Sequence, residues 1–61
     1  MRVFHVAFYN ELEDIVTTTI HLEPGEKANE MTFIEKINER YTNSILMHFC
    51  IQVLSWSLIE E

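Results

Sequence analysis

The 61-residue sequence has few of the residues that cross-link, bend or positively charge a small protein: one cysteine, one glycine, one proline and four basic residues. A single cysteine, Cys50, excludes a disulfide within the chain, and its apolar surroundings predict a buried side chain in a reducing compartment. Gly25 is the only glycine, which excludes a glycine-rich phosphate-binding loop. A single domain of this size, residues 1–61, buries only about 60% of its unfolded surface, so we expect oligomerisation to add stability.

Positive charge is scarce, because four basic side chains stand against ten acidic ones and give a net charge of −6. Nucleic acids and anionic membranes select clustered Lys and Arg, so we expect the chain to bind neither directly. The acidity favours either simple solubility or binding to a basic partner. The apolar run after Arg2 ends at Asn10 and Glu11, too early for a secretory signal, so we expect a cytoplasmic protein.

Two segments near the start of the chain predict a β-hairpin. Residues 2–9, RVFHVAFY, are rich in Val, Phe and Tyr and are apolar on both faces, which is typical of a central strand. Residues 15–22, IVTTTIHL, are β-branched and alternate in polarity. The polar residues 10–14 between them predict an antiparallel hairpin with a loop of about four or five residues.

A short helix is predicted after the hairpin. The turn-forming sequence EPGE at residues 23–26 ends the second strand. The sequence TFIE at residues 32–35 matches a capping box. In this motif the Thr32 hydroxyl accepts from the backbone N–H of Glu35, and the Glu35 carboxylate accepts from the backbone N–H of Thr32. We therefore expect a helix from about Phe33 to Tyr41.

The last quarter of the chain carries a run of fifteen residues without charge, residues 45–59, ILMHFCIQVLSWSLI. Strict alternation would place Ile51 and Val53 on one strand face and Leu54, Trp56 and Leu58 on the other. A membrane-spanning helix is the alternative interpretation, but the run contains polar residues, and a span would leave the amphipathic hairpin unexplained. We therefore expect a long C-terminal strand.

The element order strand, strand, helix, strand predicts an α+β fold. A right-handed crossover gives a three-stranded antiparallel sheet of order 3-1-2 with the helix on one face. A fifteen-residue strand extends roughly 50 Å, whereas a compact domain of this length is roughly 27 Å across. The strand must bend near Ser55 or pack on a second chain, so we expect a homodimer or higher homo-oligomer. The expected interface residues are Phe49, Ile51, Val53, Leu54, Trp56 and Leu58.

The sequence predicts no enzyme, no catalytic residue, no cofactor and no metal site. The available zinc ligands lack the close pair spacing of structural zinc sites; they are His5, His21, His48 and Cys50. Acidic side chains are the candidate partner-binding groups, in the hairpin turn and in the loop before the helix: Glu11, Glu13, Asp14, Glu23, Glu26 and Glu30. These carboxylates either solvate an apolar protein or resemble the phosphates of DNA and dock on a basic, nucleic-acid-handling enzyme.

Three features define a pattern: the aromatic-rich opening strand RVFHVAFY, the short helix TFIEKINERY with its Asn-containing link, and the Ile/Val-rich, acidic-ended segment ILMHFCIQVLSWSLIEE. This pattern resembles small acidic accessory and inhibitor proteins of phages of Gram-positive bacteria. In architecture it is similar to dimeric phage inhibitors of uracil-DNA glycosylase and to a small phage inhibitor of bacterial RNA polymerase. The resemblance implies a non-enzymatic phage-type protein that inhibits a host or defence protein. The alternative is a structural or assembly module that docks through its apolar last strand.

Overall fold

The fold consists of three strands and one helix in a computed structural model that describes residues 1–42 and 50–61. The elements are β1 (Arg2–Asn10), β2 (Ile15–Leu22), α1 (Glu30–Thr42) and β3 (Cys50–Glu60). The strands form an antiparallel sheet of order β2-β1-β3. The predicted α+β fold and strand order are therefore confirmed. The predicted start of the last strand, residues 45–49, lies outside the described residues.

The hairpin between β1 and β2 is regular, and its turn is organised by one buried amide. The pairing runs without a break from Arg2 opposite Leu22 to Tyr9 opposite Ile15. Asn10 is only 2% exposed, and its side-chain oxygen accepts hydrogen bonds from the backbone N–H groups of Leu12 and Asp14 at 2.9 and 3.0 Å. An Asn side chain that accepts from nearby N–H groups in this way satisfies backbone donors of the turn that have no backbone acceptor.

The helix covers the sheet face that carries the three alternate apolar residues Phe4, Val6 and Phe8 of β1. Phe33 of α1 is fully buried, and its ring centroid lies 5.4 Å from that of Phe4 and 5.2 Å from that of Trp56. Such tilted ring pairs add to the burial of apolar area. The buried apolar core comprises Phe4, Val6, Phe8, Ile20, Leu22, Phe33, Ile37, Cys50 and Val53.

The predicted helix start is wrong, because the helix begins at Glu30 and its cap is Asn29. The side-chain oxygen of Asn29 accepts from the backbone N–H of Thr32 at 2.9 Å. Asn is as good an N-cap as Thr, and the earlier start places the Glu30 carboxylate in the first turn, where the helix dipole favours negative charge. Thr32 thus lies inside the first turn, and the predicted capping box with Glu35 does not form.

Replacement of Asn29 by Ala is expected to cost about 1 kcal/mol of unfolding free energy, because the Thr32 N–H loses its acceptor. Thr32→Ala should change the unfolding free energy by less than about 0.5 kcal/mol, because Ala suits a helix interior at least as well as Thr. Urea denaturation followed by circular dichroism measures both values. A larger loss of unfolding free energy for Thr32→Ala than for Asn29→Ala would support the predicted capping box and contradict the Asn29 cap.

Strand β3 is interrupted by three bulges, so the predicted strict alternation along it is wrong. The pairing with β1 skips Ile51, Leu54 and Ile59. An unpaired residue shifts the following side chains to the opposite face, which is why Val53 is buried while Ile51 is exposed. The residues of β3 on the helix side are Cys50, Val53, Trp56 and Leu58, opposite Asn10, Phe8, Val6 and Phe4 of β1. The bulge at Leu54 lies beside Ser55, where the sequence predicts a bend.

The sheet face opposite the helix is mixed in polarity, although β1 by sequence suggests a central strand that is apolar on both sides. The neighbouring strands supply mainly hydroxyl, amide and imidazole groups to this face. Its members are Val3, His5, Ala7 and Tyr9 of β1, Ile15, Thr17, Thr19 and His21 of β2, and Gln52, Ser55, Ser57 and Glu60 of β3. This open face therefore does not require a second apolar layer to cover it.

Candidate functional site

The largest exposed apolar feature in the described residues lies on β3, an edge strand paired only with β1 there. We call this surface the β3 edge. Its apolar side chains are between 41% and 63% exposed: Ile51, Leu54, Trp56, Leu58 and Ile59. No charged residue interrupts it from Cys50 to Ile59. An exposed apolar edge with free backbone groups is a template for pairing with another chain.

The opposite edge of the sheet, β2, is partly occupied by the helix. The guanidinium of Arg40 donates to the Thr18 hydroxyl at 2.9 Å and to the Thr19 carbonyl at 3.1 Å. A cation bound to backbone along an edge strand blocks the approach of another strand. The two edges of this sheet are therefore different, and the β3 edge is the more accessible.

The structure separates the predicted interface residues into groups. Ile51, Leu54, Trp56 and Leu58 are exposed on the β3 edge, as an interface requires. Val53 is 6% exposed and belongs to the core, because the bulge at Ile51 places it opposite Phe8. Ile59 joins the edge although the sequence did not select it, since no alternation signal reveals a bulge. Phe49, like the potential ligand His48, lies outside the described residues.

The predicted acidic residues lie in the hairpin turn and between β2 and α1. The turn cluster consists of Glu11, Glu13 and Asp14, all exposed in the turn that Asn10 holds. Glu23 is exposed at the other end of the hairpin, directly after β2, and Glu30 is exposed at the first residue of α1. We call these two residues the loop cluster. A sheet length separates Glu23 from the turn cluster within one chain.

Glu26, predicted to bind a partner, is engaged within the chain. Its carboxylate lies 2.9 Å from the Lys36 ammonium and accepts from the backbone N–H of Glu23 at 2.8 Å. The Glu23 N–H, followed by Lys36, lowers the pKa of Glu26, and the same carboxylate raises the pKa of Lys36. Glu26 therefore pins the loop to the helix and is a weaker candidate for partner binding than the clusters on either side.

Stability should fall in acid partly because of Glu26. Its pKa is below the ordinary value of 4.5, so its stabilising contribution is present above that value and is lost as the pH falls through the lower, folded-state pKa. Glu26→Gln should therefore reduce the loss of thermal stability below about pH 4.5. Glu35→Gln removes an exposed carboxylate from α1 and should leave the acid loss unchanged. Equal pH profiles for Glu26→Gln and the unmodified protein would contradict this role.

Three of the four basic side chains make contacts within the chain. Arg2 donates to the carbonyls of Glu23 and Glu26 and lies 5.9 Å above the Phe4 ring, while Lys36 and Arg40 make the contacts described above. Only one of the ten carboxylate side chains, that of Glu26, forms an ion pair within the described residues. The fold thus leaves nine exposed carboxylates without an ion pair in the described residues, although two of them, Glu23 and Glu39, also help to raise the pKa of Lys36.

The described residues offer neither a reactive thiolate nor a cluster of metal-binding side chains. Burial raises the pKa of the Cys50 thiol, which keeps the thiol protonated at neutral pH and disfavours attack by a thiolate. The Cys50 N–H donates to the Asn38 side chain at 2.8 Å, a contact that anchors β3 to α1. Within residues 1–42 and 50–61, no three His, Cys, Asp or Glu side chains are grouped closely enough to hold a metal ion.

An open groove of about 400 Å³ lies between the hairpin turn and the start of β3. It is lined by Tyr9, Asn10, Glu13, Ile51 and Gln52. Its walls combine one carboxylate with apolar and amide groups, so it joins the turn cluster to the β3 edge. Such a lining suits a basic side chain with an aliphatic stem better than a small-molecule substrate.

Comparison of the chain with protein-family models, with curated protein sequences and with solved structures finds no match. Within the part of the chain that the structure describes, α1 is the only helix, and it is not long and apolar enough to cross a membrane.

Proposed function

We propose that this chain is a non-enzymatic binding protein that inhibits a basic, nucleic-acid-handling protein through its anionic surface. The observation that carries the proposal is the charge arrangement: one ion pair for ten carboxylates, with three of the four basic side chains held by internal contacts. The resemblance to acidic phage inhibitors adds support. On this proposal the protein is phage-encoded, acts in the cytoplasm of the bacterial host, and targets a host or defence protein.

The physical basis is electrostatic complementarity. A surface of one sign steers an oppositely charged partner and accelerates association, and it does so less well when salt screens it. The turn cluster is the best-positioned part of this surface, because Asn10 fixes the turn and none of its three carboxylates has an ion-pair partner in the described residues. Glu23 of the loop cluster contributes at the other end of the hairpin.

The proposal is tested by immobilising the protein and exposing it to bacterial lysate at low salt. A retained basic protein should be released by about 0.5 M salt. It should also be released at low salt by short duplex DNA, because a protein that imitates phosphate spacing competes with DNA for one site. Retention that resists both salt and DNA would contradict the proposal.

Matched variants locate the binding surface. A triple variant of the turn cluster, with Glu11→Gln, Glu13→Gln and Asp14→Asn, should lose most of the retained protein. A control with Glu35→Gln, Glu39→Gln and Glu61→Gln removes the same number of exposed carboxylates elsewhere and should retain it. Equal loss in both variants would show that net charge alone, and not the turn cluster, determines the binding.

A second candidate function is a structural or assembly module, and the exposed apolar side chains of β3 favour it. Such a module binds by adding its edge strand to another protein, using main-chain hydrogen bonds and alternate side chains. Its complexes would resist salt, because the β3 edge carries no charge. Salt resistance in the lysate experiment therefore separates this function from the first.

A further inference from the structure

We propose that two copies of this chain associate through the β3 edge, with the two β3 strands antiparallel, so that two three-stranded sheets become one six-stranded sheet. The inference goes beyond the proposed function and does not depend on it. It names both the occupant of the β3 edge, which is a second copy, and the relative direction of the two strands.

The sheet offers two faces and two edges for self-association, and three of these four surfaces are unsuitable. The helix covers one face, and on the opposite face the side chains of β1 are flanked mainly by Thr, Ser, Gln and His side chains of the two outer strands. The β2 edge is occupied by Arg40 at Thr18 and Thr19. A β3-to-β2 contact would also leave free edges and propagate into a filament, whereas β3-to-β3 contact closes as a two-fold dimer.

Charge sets the relative direction of the two strands. Each chain carries −6, so two copies repel except where their carboxylates stay apart. The β3 edge is uncharged from Cys50 to Ile59, and its carboxylates, Glu60 and Glu61, lie only at one end. Parallel strands would place Glu60 beside the partner's Glu60. Antiparallel strands separate the two Glu60 carboxylates to opposite ends of the contact, each beside the Cys50 end of the partner's β3, where the neighbouring β1–β2 turn carries the turn cluster.

The bulges delimit the segment that can pair. Between the bulges at Leu54 and Ile59, residues 55–58 pair with β1 without interruption, so this segment has the regular backbone that strand addition needs. Residues that pair across an edge share a face. Trp56 and Leu58 both lie on the helix side of the sheet. In the dimer they must therefore contact Trp56 and Leu58 of the partner subunit.

The available area is adequate for a dimer. A stable dimer buries about 800 Å² on each partner. The isolated protomer exposes 4237 Å², so the interface needs roughly a fifth of it. Nine of the eleven residues of β3 are exposed, and five of them are large and apolar. The regular segment supplies the centre of the contact, and the bulged side chains extend it on both sides.

The dimer would bring the turn cluster of one chain near Glu23 of the other. The hairpin turn lies at the Cys50 end of β3, because Cys50 pairs with Asn10. Glu23 lies near the Glu60 end, because it follows Leu22, which pairs with Arg2, and Glu60 pairs with Val3. Antiparallel association brings the Cys50 end of one chain beside the Glu60 end of the other. Each end of the six-stranded sheet then carries the turn cluster of one chain and Glu23 of the partner subunit.

Solution mass and one pair of variants test the interface. The unmodified protein should sediment at twice 7.3 kDa and dissociate on dilution. Leu54→Lys with Ile59→Lys should give a folded monomer, because bulged residues do not pair with β1 and edge lysines oppose strand addition. The control, Leu12→Lys with Ile15→Lys, adds the same charge at exposed apolar positions outside β3 and should remain a dimer.

The single tryptophan, Trp56, gives a second measurement on the same samples. Its fluorescence should shift to shorter wavelength as concentration rises in the unmodified protein and in the control, and should not change with concentration in the Leu54/Ile59 variant. Circular dichroism spectra identical to that of the unmodified protein show that each variant is folded. If the double-lysine variant unfolds, the spin-label distances described next decide the question in its place.

Spin labels distinguish edge pairing from face packing. Ser57→Cys and Thr17→Cys both lie on the open face, and the native Cys50 is buried. In the six-stranded sheet, labels at Thr17→Cys stand about 24 Å apart, five strand spacings, and labels at Ser57→Cys stand much closer. A monomer at all concentrations, or labels closer at position 17 than at position 57, would overturn the proposal.

Discussion

Phe33→Ala is expected to unfold most of the protein at neutral pH. Phe33 is fully buried and contacts the rings of Phe4 and Trp56, so it joins α1 to two strands of the sheet. Truncation of a buried Phe costs about 3–5 kcal/mol. A chain of 61 residues has a total unfolding free energy of about 3–9 kcal/mol, so this loss consumes most or all of it.

Far-UV circular dichroism and urea denaturation measure the effect of Phe33→Ala. Met31→Ala is the matched control, because Met31 is an exposed apolar residue in the same helix and its truncation should change stability by less than about 0.5 kcal/mol. A Phe33→Ala variant within about 1 kcal/mol of the unmodified protein would contradict the core that the structure assigns.

Asn10→Ala is expected to lower the unfolding free energy by about 2 kcal/mol. The buried Asn10 oxygen is the acceptor for the N–H groups of both Leu12 and Asp14, and truncation leaves these two partly buried donors without it. The loss should also loosen the turn cluster and weaken the capture of a basic protein, which links stability to the proposed function.

The control for Asn10→Ala is Asn10→Asp, which retains an oxygen acceptor of the same shape. It should lose less stability than Asn10→Ala, although it adds a negative charge beside Glu11, Glu13 and Asp14. Thermal denaturation and lysate capture are measured on both variants. Equal destabilisation by the two substitutions would show that the hydrogen bonds of the side-chain oxygen do not hold the turn.

The architecture was predictable from sequence because local and global signals agree. The β-branched and aromatic composition of residues 2–9 and 15–22 specified two strands, and the apolar character of the first specified its central place. The helix start was less predictable, since Asn29 and Thr32 are both good caps three residues apart. The choice between them depends on how the loop meets the sheet, through Arg2 and Glu26, and not on capping preference alone.

The details of the candidate site could not be read from alternation. A bulge moves the residues that follow it to the opposite face of the sheet. The residue types at Ile51, Leu54 and Ile59 do not predict a bulge. The sequence therefore placed Val53 in an interface when it belongs to the core. The contact of Glu26 with Lys36 is a tertiary contact that composition cannot predict.

We propose separate roles for two surfaces: an uncharged edge for self-association and an anionic remainder for a basic partner. The most direct test is the mass of the purified protein as salt rises from low concentration to about 1 M. We expect a dimer of twice 7.3 kDa that dissociates less at high salt, because screening weakens the repulsion between two chains of −6 each. A dimer that dissociates as salt rises, or a 7.3 kDa monomer throughout, would contradict the account.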